Sequence, residues 1–276
     1  MQQHHDRTDR SHRWTPARVL RRALGVVLVT AATAGVVLTI TSAPSSGRDF
    51  AAAGVPRPTA TPSVDPGPDR NATFFEDFDT PAAAGGQFRS TYANAWQPYA
   101  EGTSGKYFSD ELISAHDGVM DVAMDGEHGA AGVFGPPDSA WAHVGGTYSI
   151  RARVVGGVGN GAAIMLWPTS NVRSEGEINF PEGNFESHPV VYHHSMIPGH
   201  EGSAQGIDSE VTWRGWHTYT IDWKPGKSVS YFVDGRLLGT ITTNVPTTAH
   251  RYTFQIGDTG APGHVLIDWV SRNDAD

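Results

Sequence analysis

Two glutamates five positions apart, Glu177 and Glu182, sit in the segment Glu177-Ile-Asn179-Phe-Pro-Glu182. Paired carboxyls can cleave glycosidic bonds: one attacks the anomeric carbon, the other gives and recovers a proton, and this division of labour needs them about 5 to 5.5 Å apart. In an extended strand Glu177 and Asn179 share one face, and Ile178 and Phe180 share the other. An odd offset would put Glu182 on the wrong face, so the spacing requires one extra residue, a β-bulge. Pro181 stands where the bulge is needed, and proline inside a sheet is confined to edges and bulges. The Cα atoms of the two glutamates would still be roughly 13 Å apart at strand rise, so their side chains must lean together over a concave sheet. The chain has no cysteine, so thiolate nucleophiles, thiolate metal sites and disulfides are excluded.

The elements that must position this segment read as strands. Gly118 to Met124, Gly146 to Val154 and Tyr219 to Trp223 alternate apolar with polar residues, as half-buried strands do. Ala162 to Trp167 reads as a buried strand, and Pro168 to Gly176 as the loop before the glutamates. Ser228 to Asp234, Gly235 and Arg236 to Ile241 spell a hairpin around an Asp-Gly turn. With turn signals throughout and no segment of helical period, a two-sheet all-β sandwich is expected over residues 71–276.

The chain divides by charge. Residues 1–70 hold nine Arg against five Asp, a net of +4, whereas residues 71–276 hold 11 basic against 24 acidic side chains, a net of −13. So acidic a domain repels nucleic acid and anionic lipid while leaving a neutral polysaccharide unaffected. Residues 1–22 form a basic cytoplasmic N-terminus, and within 23–43 lies an uncharged run of 18 residues, Ala23 to Ile40. That run is long enough to anchor the chain, with everything after it outside the membrane. Thr41-Ser42-Ala43 followed by Pro44 is a poor cleavage site, so an uncleaved anchor is expected ahead of a removed, secreted signal. Residues 44–70, rich in Pro, Ala, Ser and Thr, read as a linker. The expectation is an extracytoplasmic monomer that meets the membrane only through its N-terminal segment.

The glutamate segment resembles the Glu-x-Asp-x-x-Glu signature of glycoside hydrolase family 16, the bacterial β-glucanase and laminarinase group. Phe75-Glu-Asp-Phe78 is similar to that family's opening strand, Ile164-Met-Leu-Trp-Pro168 to the strand before the motif, and Val191-Tyr-His-His194 to the strand after it. Trp216 to Trp223 with Tyr231-Phe-Val-Asp-Gly235 resembles its long strand and hairpin, and Ile267-Asp-Trp-Val270 its closing strand. The resemblance implies a concanavalin A-like jelly roll, Glu177 as nucleophile, Glu182 as general acid/base and a retaining endo-hydrolase of β-1,3 or mixed β-1,3/1,4 glucan that needs no cofactor. Asn179 is the departure, because the family has Asp there. An amide can donate a hydrogen bond but cannot ionise or shuttle a proton, and its neutrality lessens the upward pull on the Glu182 pKa that a general acid needs. An attenuated enzyme, a glycan-binding domain without turnover and a transglycosylase are the alternatives.

Aromatic side chains provide sugar-stacking platforms, and Trp141, Trp167, Trp213 and Tyr192 are the candidates, with Trp167 and Trp213 preferred. Trp216 and Trp223 are expected to pack. His193 and His194 point to opposite faces of one strand, so only one reaches the site. The resemblance favours His194 and makes the other a structural histidine. It also implies a sugar contact from Gln255 and a structural Ca²⁺ held by oxygens of Glu76, Gly118 and Asp268.

Overall fold

The computed structural model describes residues 65–275 apart from Asp258. The basic N-terminus, the apolar run and most of the linker lie outside the described residues. Fifteen strands account for nearly all regular structure. The first seven are β1 (Phe74–Glu76), β2 (Trp96–Pro98), β3 (Ile113–His116), β4 (Val119–Met124), β5 (Ala130–Phe134), β6 (Gly146–Gly156) and β7 (Gly161–Pro168). The next four are β8 (Ile178–Asn184), β9 (Val190–His194), β10 (Ala204–Asp208) and β11 (His217–Lys224). The last are β12 (Ser228–Val233), β13 (Arg236–Ile241), β14 (His250–Ile256) and β15 (Gly263–Asn273). Among the described residues, no helix is long and apolar enough to cross a membrane.

Two antiparallel sheets result. The seven-stranded sheet runs β10-β9-β8-β7-β14-β5-β2, and the eight-stranded sheet runs β13-β12-β11-β6-β15-β4-β3 with β1 added against β15. Strands distant in sequence lie side by side, as in a jelly roll. The described residues form an all-β fold whose strands send alternate side chains into the space between the sheets. Tyr148, Ile150, Ala152 and Val154 of β6 meet Ile164 and Leu166 of β7 and Tyr252, Phe254 and Ile256 of β14 in one core between the sheets. The Asp-Gly hairpin forms as the sequence indicates: β12 and β13 pair through Asp234 (φ 49°) and Gly235 (φ 75°). Two successive positive φ values give the turn whose twist matches that of its strands.

Contacts with the eight-stranded sheet already occur before residue 71. Asp65 accepts hydrogen bonds from Arg151 Nε at 3.1 Å and Thr218 Oγ1 at 2.8 Å, and Asp69 accepts one from Asn273 Nδ2 at 3.0 Å. The end of the linker is therefore fixed on the eight-stranded sheet, because its two aspartates find partners there.

Candidate active site

The outer face of the seven-stranded sheet carries the glutamates. Ile178 and Phe180 of β8 turn inward, where the Phe180 ring meets the rings of Tyr219 at 5.4 Å and Tyr231 at 6.0 Å edge to face. Burying a ring of this size is worth ~1.5 to 3 kcal/mol and fixes which face of β8 looks out. The bulge lies where the spacing requires it. Asn179 pairs with Met165 and Glu182 with Ala163, so Phe180 and Pro181 together oppose a single residue of β7. The same two residues oppose one residue of β9. The Phe180–Pro181 peptide is cis. Glu177, Asn179 and Glu182 thereby come to one face, with 2%, 0% and 7% of their surfaces exposed.

Asn179 joins the pair. Its Nδ2 donates to Glu177 Oε1 at 2.7 Å and to Glu182 Oε2 at 2.8 Å. Two oxygens so close to one nitrogen lie no more than about 5.5 Å apart, within the reach of a retaining pair and short of the about 6.5 to 9.5 Å of an inverting one. Asn179 Oδ1 is buried without a partner. Burial raises the Glu182 carboxyl to about 7; the Asn179 hydrogen bond opposes the rise, the Glu177 charge adds to it, and Arg173 opposes it. Burial is thus the leading cause of the rise, and the neutral amide works against it.

Around Glu177 the sequence leaves one partner unmarked. Arg173, in a single 3-10 turn (Arg173–Glu175) of the loop after β7, donates through Nε to Glu177 Oε2 and places Nη2 3.1 Å from His194 Nδ1. Gly176 links that turn to Glu177 at φ 115°, and a Cβ there would lie 2.3 Å from Pro246, so only glycine lets the loop enter β8 on this path. The sole sequence hint was a spacing of four between Arg173 and Glu177, which means little outside a helix. His194 faces outward as expected. Its Nε2 lies 3.5 Å from Glu177 Oε1, its backbone N–H donates to the Glu177 carbonyl, and burial lowers its pKa. His193 faces inward between the Tyr231 hydroxyl at 2.6 Å and the Asn244 carbonyl at 2.8 Å.

The other candidates separate. Tyr192 pairs with Asn179 across β8 and β9 and is half-buried, its hydroxyl pKa raised by burial and by Glu182. Gln255 pairs with Ala163, next to Glu182, and accepts a hydrogen bond from Tyr107 at 3.0 Å. Trp167 lies on the same face beside Arg251, with its indole N–H on Asn171 Oδ1 at 3.2 Å. Arg251 also places its guanidinium 5.9 Å from the ring of Trp141, which is 39% exposed. Trp213 is a correction: it is 1% exposed, inside the core against Phe185 at 5.3 Å, so no sugar can stack on it. It lies in the turn before β11, and a lone tryptophan outside a strand has no alternation to show which way it points.

Two of the three residues expected around calcium have partners within the protein. Asp268 gives its carboxylate to Arg151 Nη1 at 2.5 Å, Glu76 Oε1 accepts the Phe78 N–H at 3.0 Å, and Gly118 forms the turn between β3 and β4. Among the described residues no three His, Asp or Glu gather in a metal-holding group. On Asp268 a guanidinium supplies the positive charge.

Fold and site together define a jelly-roll sandwich with a carboxyl pair on one outer sheet face, the arrangement of a carbohydrate-active domain. Residues 109–269 match the family described as glycosyl hydrolases family 16, and the chain belongs to that family. A β-glucanase of Paenibacillus macerans is 40% identical over 80 residues, 29% of this chain and 30% of that protein, so the match spans less than a third of that relative. The laminarinase catalytic domain of Thermotoga petrophila shares the fold at a TM-score of 0.57 and 16% identity, over 74% of this chain and 98% of that one. The laminarinase of Rhodothermus marinus does so at a TM-score of 0.57 and 17% identity, over 74% and 98% of the respective chains.

Proposed function

We propose that the domain is a retaining endo-β-glucan hydrolase acting on β-1,3 or mixed β-1,3/1,4 glucan outside a bacterial cell. The observation that carries this reading is the Asn179 amide bridging two buried glutamates, one of which, Glu182, has its pKa raised to about 7. A Glu177 oxygen forms a bond to the anomeric carbon as the glycosidic C–O bond breaks, and the departing oxygen takes its electron pair and the Glu182 proton. Water then gives a proton to Glu182 and attacks the same carbon, freeing Glu177 with the anomeric configuration retained. The β-glucan substrate is suggested by the β-glucanase and laminarinase relatives. The extracytoplasmic location rests on the basic residues 1–22 and the apolar run after them.

Reducing-end assays on soluble β-glucans test the reading, with binding measured in parallel. Turnover that Glu177→Gln abolishes is the expected result. Asn179, which cannot carry a proton, favours a second reading, a glycan-binding domain without turnover. Binding that persists without turnover and is unaffected by Glu177→Gln would establish that reading and sink the first.

A further inference from the structure

Asn179 treats the two glutamates alike. Its amide nitrogen gives one hydrogen to each, at 2.7 and 2.8 Å, so the bridge itself cannot decide which carboxyl keeps a proton and which carries charge. A retaining pair needs that decision made by unequal surroundings before substrate arrives. The inequality here lies on one side of the bridge. Arg173 forms an ion pair with Glu177 and also reaches His194, whose Nε2 is 3.5 Å from the same carboxyl. His194 Nδ1 is shared between Arg173 Nη2 at 3.1 Å and the Glu201 carbonyl at 3.0 Å, so the histidine is held from the side away from Glu177. Among the described residues no cation forms an ion pair with Glu182.

We propose that Arg173 assigns the two roles: pairing with Glu177 and not with Glu182, it holds Glu177 as the charged nucleophile and leaves the proton to Glu182. Arg173 is a positioning residue acting through Glu177. It also orients that carboxylate, since Arg173 holds Oε2 while Asn179 holds Oε1. The assignment rests on the hydrolase reading above.

The test uses the full chain with Arg173→Gln and Arg173→Lys. Steady-state rates are measured on soluble β-glucan across pH, and an activated 2-deoxy-2-fluoro β-glucoside is used to trap the nucleophile for intact mass measurement. Wild type is expected to turn over substrate and to accumulate an adduct on Glu177. Arg173→Gln should lower kcat about 100-fold with KM changed less than about threefold, as for a misplaced reacting group. Trapping should slow in proportion. Arg173→Lys should recover about tenfold by restoring the charge.

An unchanged kcat in Arg173→Gln overturns the assignment. So does lost activity with kcat and KM changed together and no recovery in Arg173→Lys, which would reduce Arg173 to a structural contact. A wild-type chain that neither turns over nor traps defeats the hydrolase reading itself, and the assignment with it.

Discussion

Asn179 and Glu177 are two residues apart and joined by a 2.7 Å hydrogen bond, so they act as one unit on the face of β8. The family's pattern has a carboxyl at position 179. Asn179→Asp restores a group that can carry a proton and brings a like charge next to Glu182. That charge should raise the Glu182 pKa further and move the alkaline limb of kcat/KM upward. Turnover should rise about tenfold, less than the roughly 100-fold or more of a full general acid–base contribution, because the new carboxyl assists the pair and does not itself protonate the leaving group. Reducing-end rates on one β-glucan from acid to mildly alkaline pH will show both effects. An unmoved limb with unimproved turnover would mean that other contacts, Arg173 first among them, already do the work of the missing carboxyl.

Glu182 links activity to stability. Its carboxyl titrates at about 7 in the folded protein against 4.5 ordinarily, with burial the leading cause. The folded state thus holds a proton that the unfolded state has released, and stability is full below pH 4.5 and declines as pH rises toward about 7. The loss is about 3 to 4 kcal/mol at most, since each pH unit between the two values is worth about 1.4 kcal/mol. Glu182→Gln removes this dependence. Urea midpoints measured through that interval should fall with rising pH in wild type and stay flatter in the variant. The same variant should lose turnover on glucan yet keep much of the first step on glycosides whose leaving group needs no proton.

Two tryptophans distinguish core from platform. Trp213→Leu should lower stability by about 2 to 4 kcal/mol, the cost of emptying a buried aromatic site, with KM for glucan unchanged. Trp141→Ala should leave the thermal midpoint within a degree or two, since the ring is 39% exposed, and raise KM several-fold if sugar stacks there. A raised KM in Trp213→Leu without loss of stability would return that ring to the sugar-binding face.

What the sequence disclosed follows from what repeats locally. Alternation marks β4, β6 and β11, the Asp-Gly pair marks the β12–β13 turn, and the odd spacing of Glu177 and Glu182 with Pro181 between them demands the bulge seen in the register. His193 and His194 separate by strand parity alone. Arg173 and Trp213 were hidden because both lie between strands, where no period fixes a direction, and their partners come from tertiary packing. The Arg151–Asp268 pair was hidden for a related reason, since β6 and β15 are neighbours although 117 positions separate the two residues.

Arg151 also holds the residues just before position 71. It is shared by Asp65 and Asp268, and the face of its guanidinium lies 5.0 Å from the Trp216 ring, so a residue from the linker completes a cluster on the sheet opposite the glutamates. Asp65 and Arg151 are about a third exposed, which limits the ion pair to well under 1 kcal/mol; the Thr218 and Asn273 hydrogen bonds bring the docked segment to about 1 kcal/mol. A domain starting at residue 71 should therefore melt a few degrees below one starting at residue 65, and the gap should narrow in high salt because its ionic part is screened. Specific activity well below the melting range should be equal in the two, since the docked segment lies on the sheet that does not bear Glu177 and Glu182. Equal melting points at low salt would mean that the segment only rests on the sheet, and a loss of activity in the shorter domain would mean that the two faces are coupled through the core.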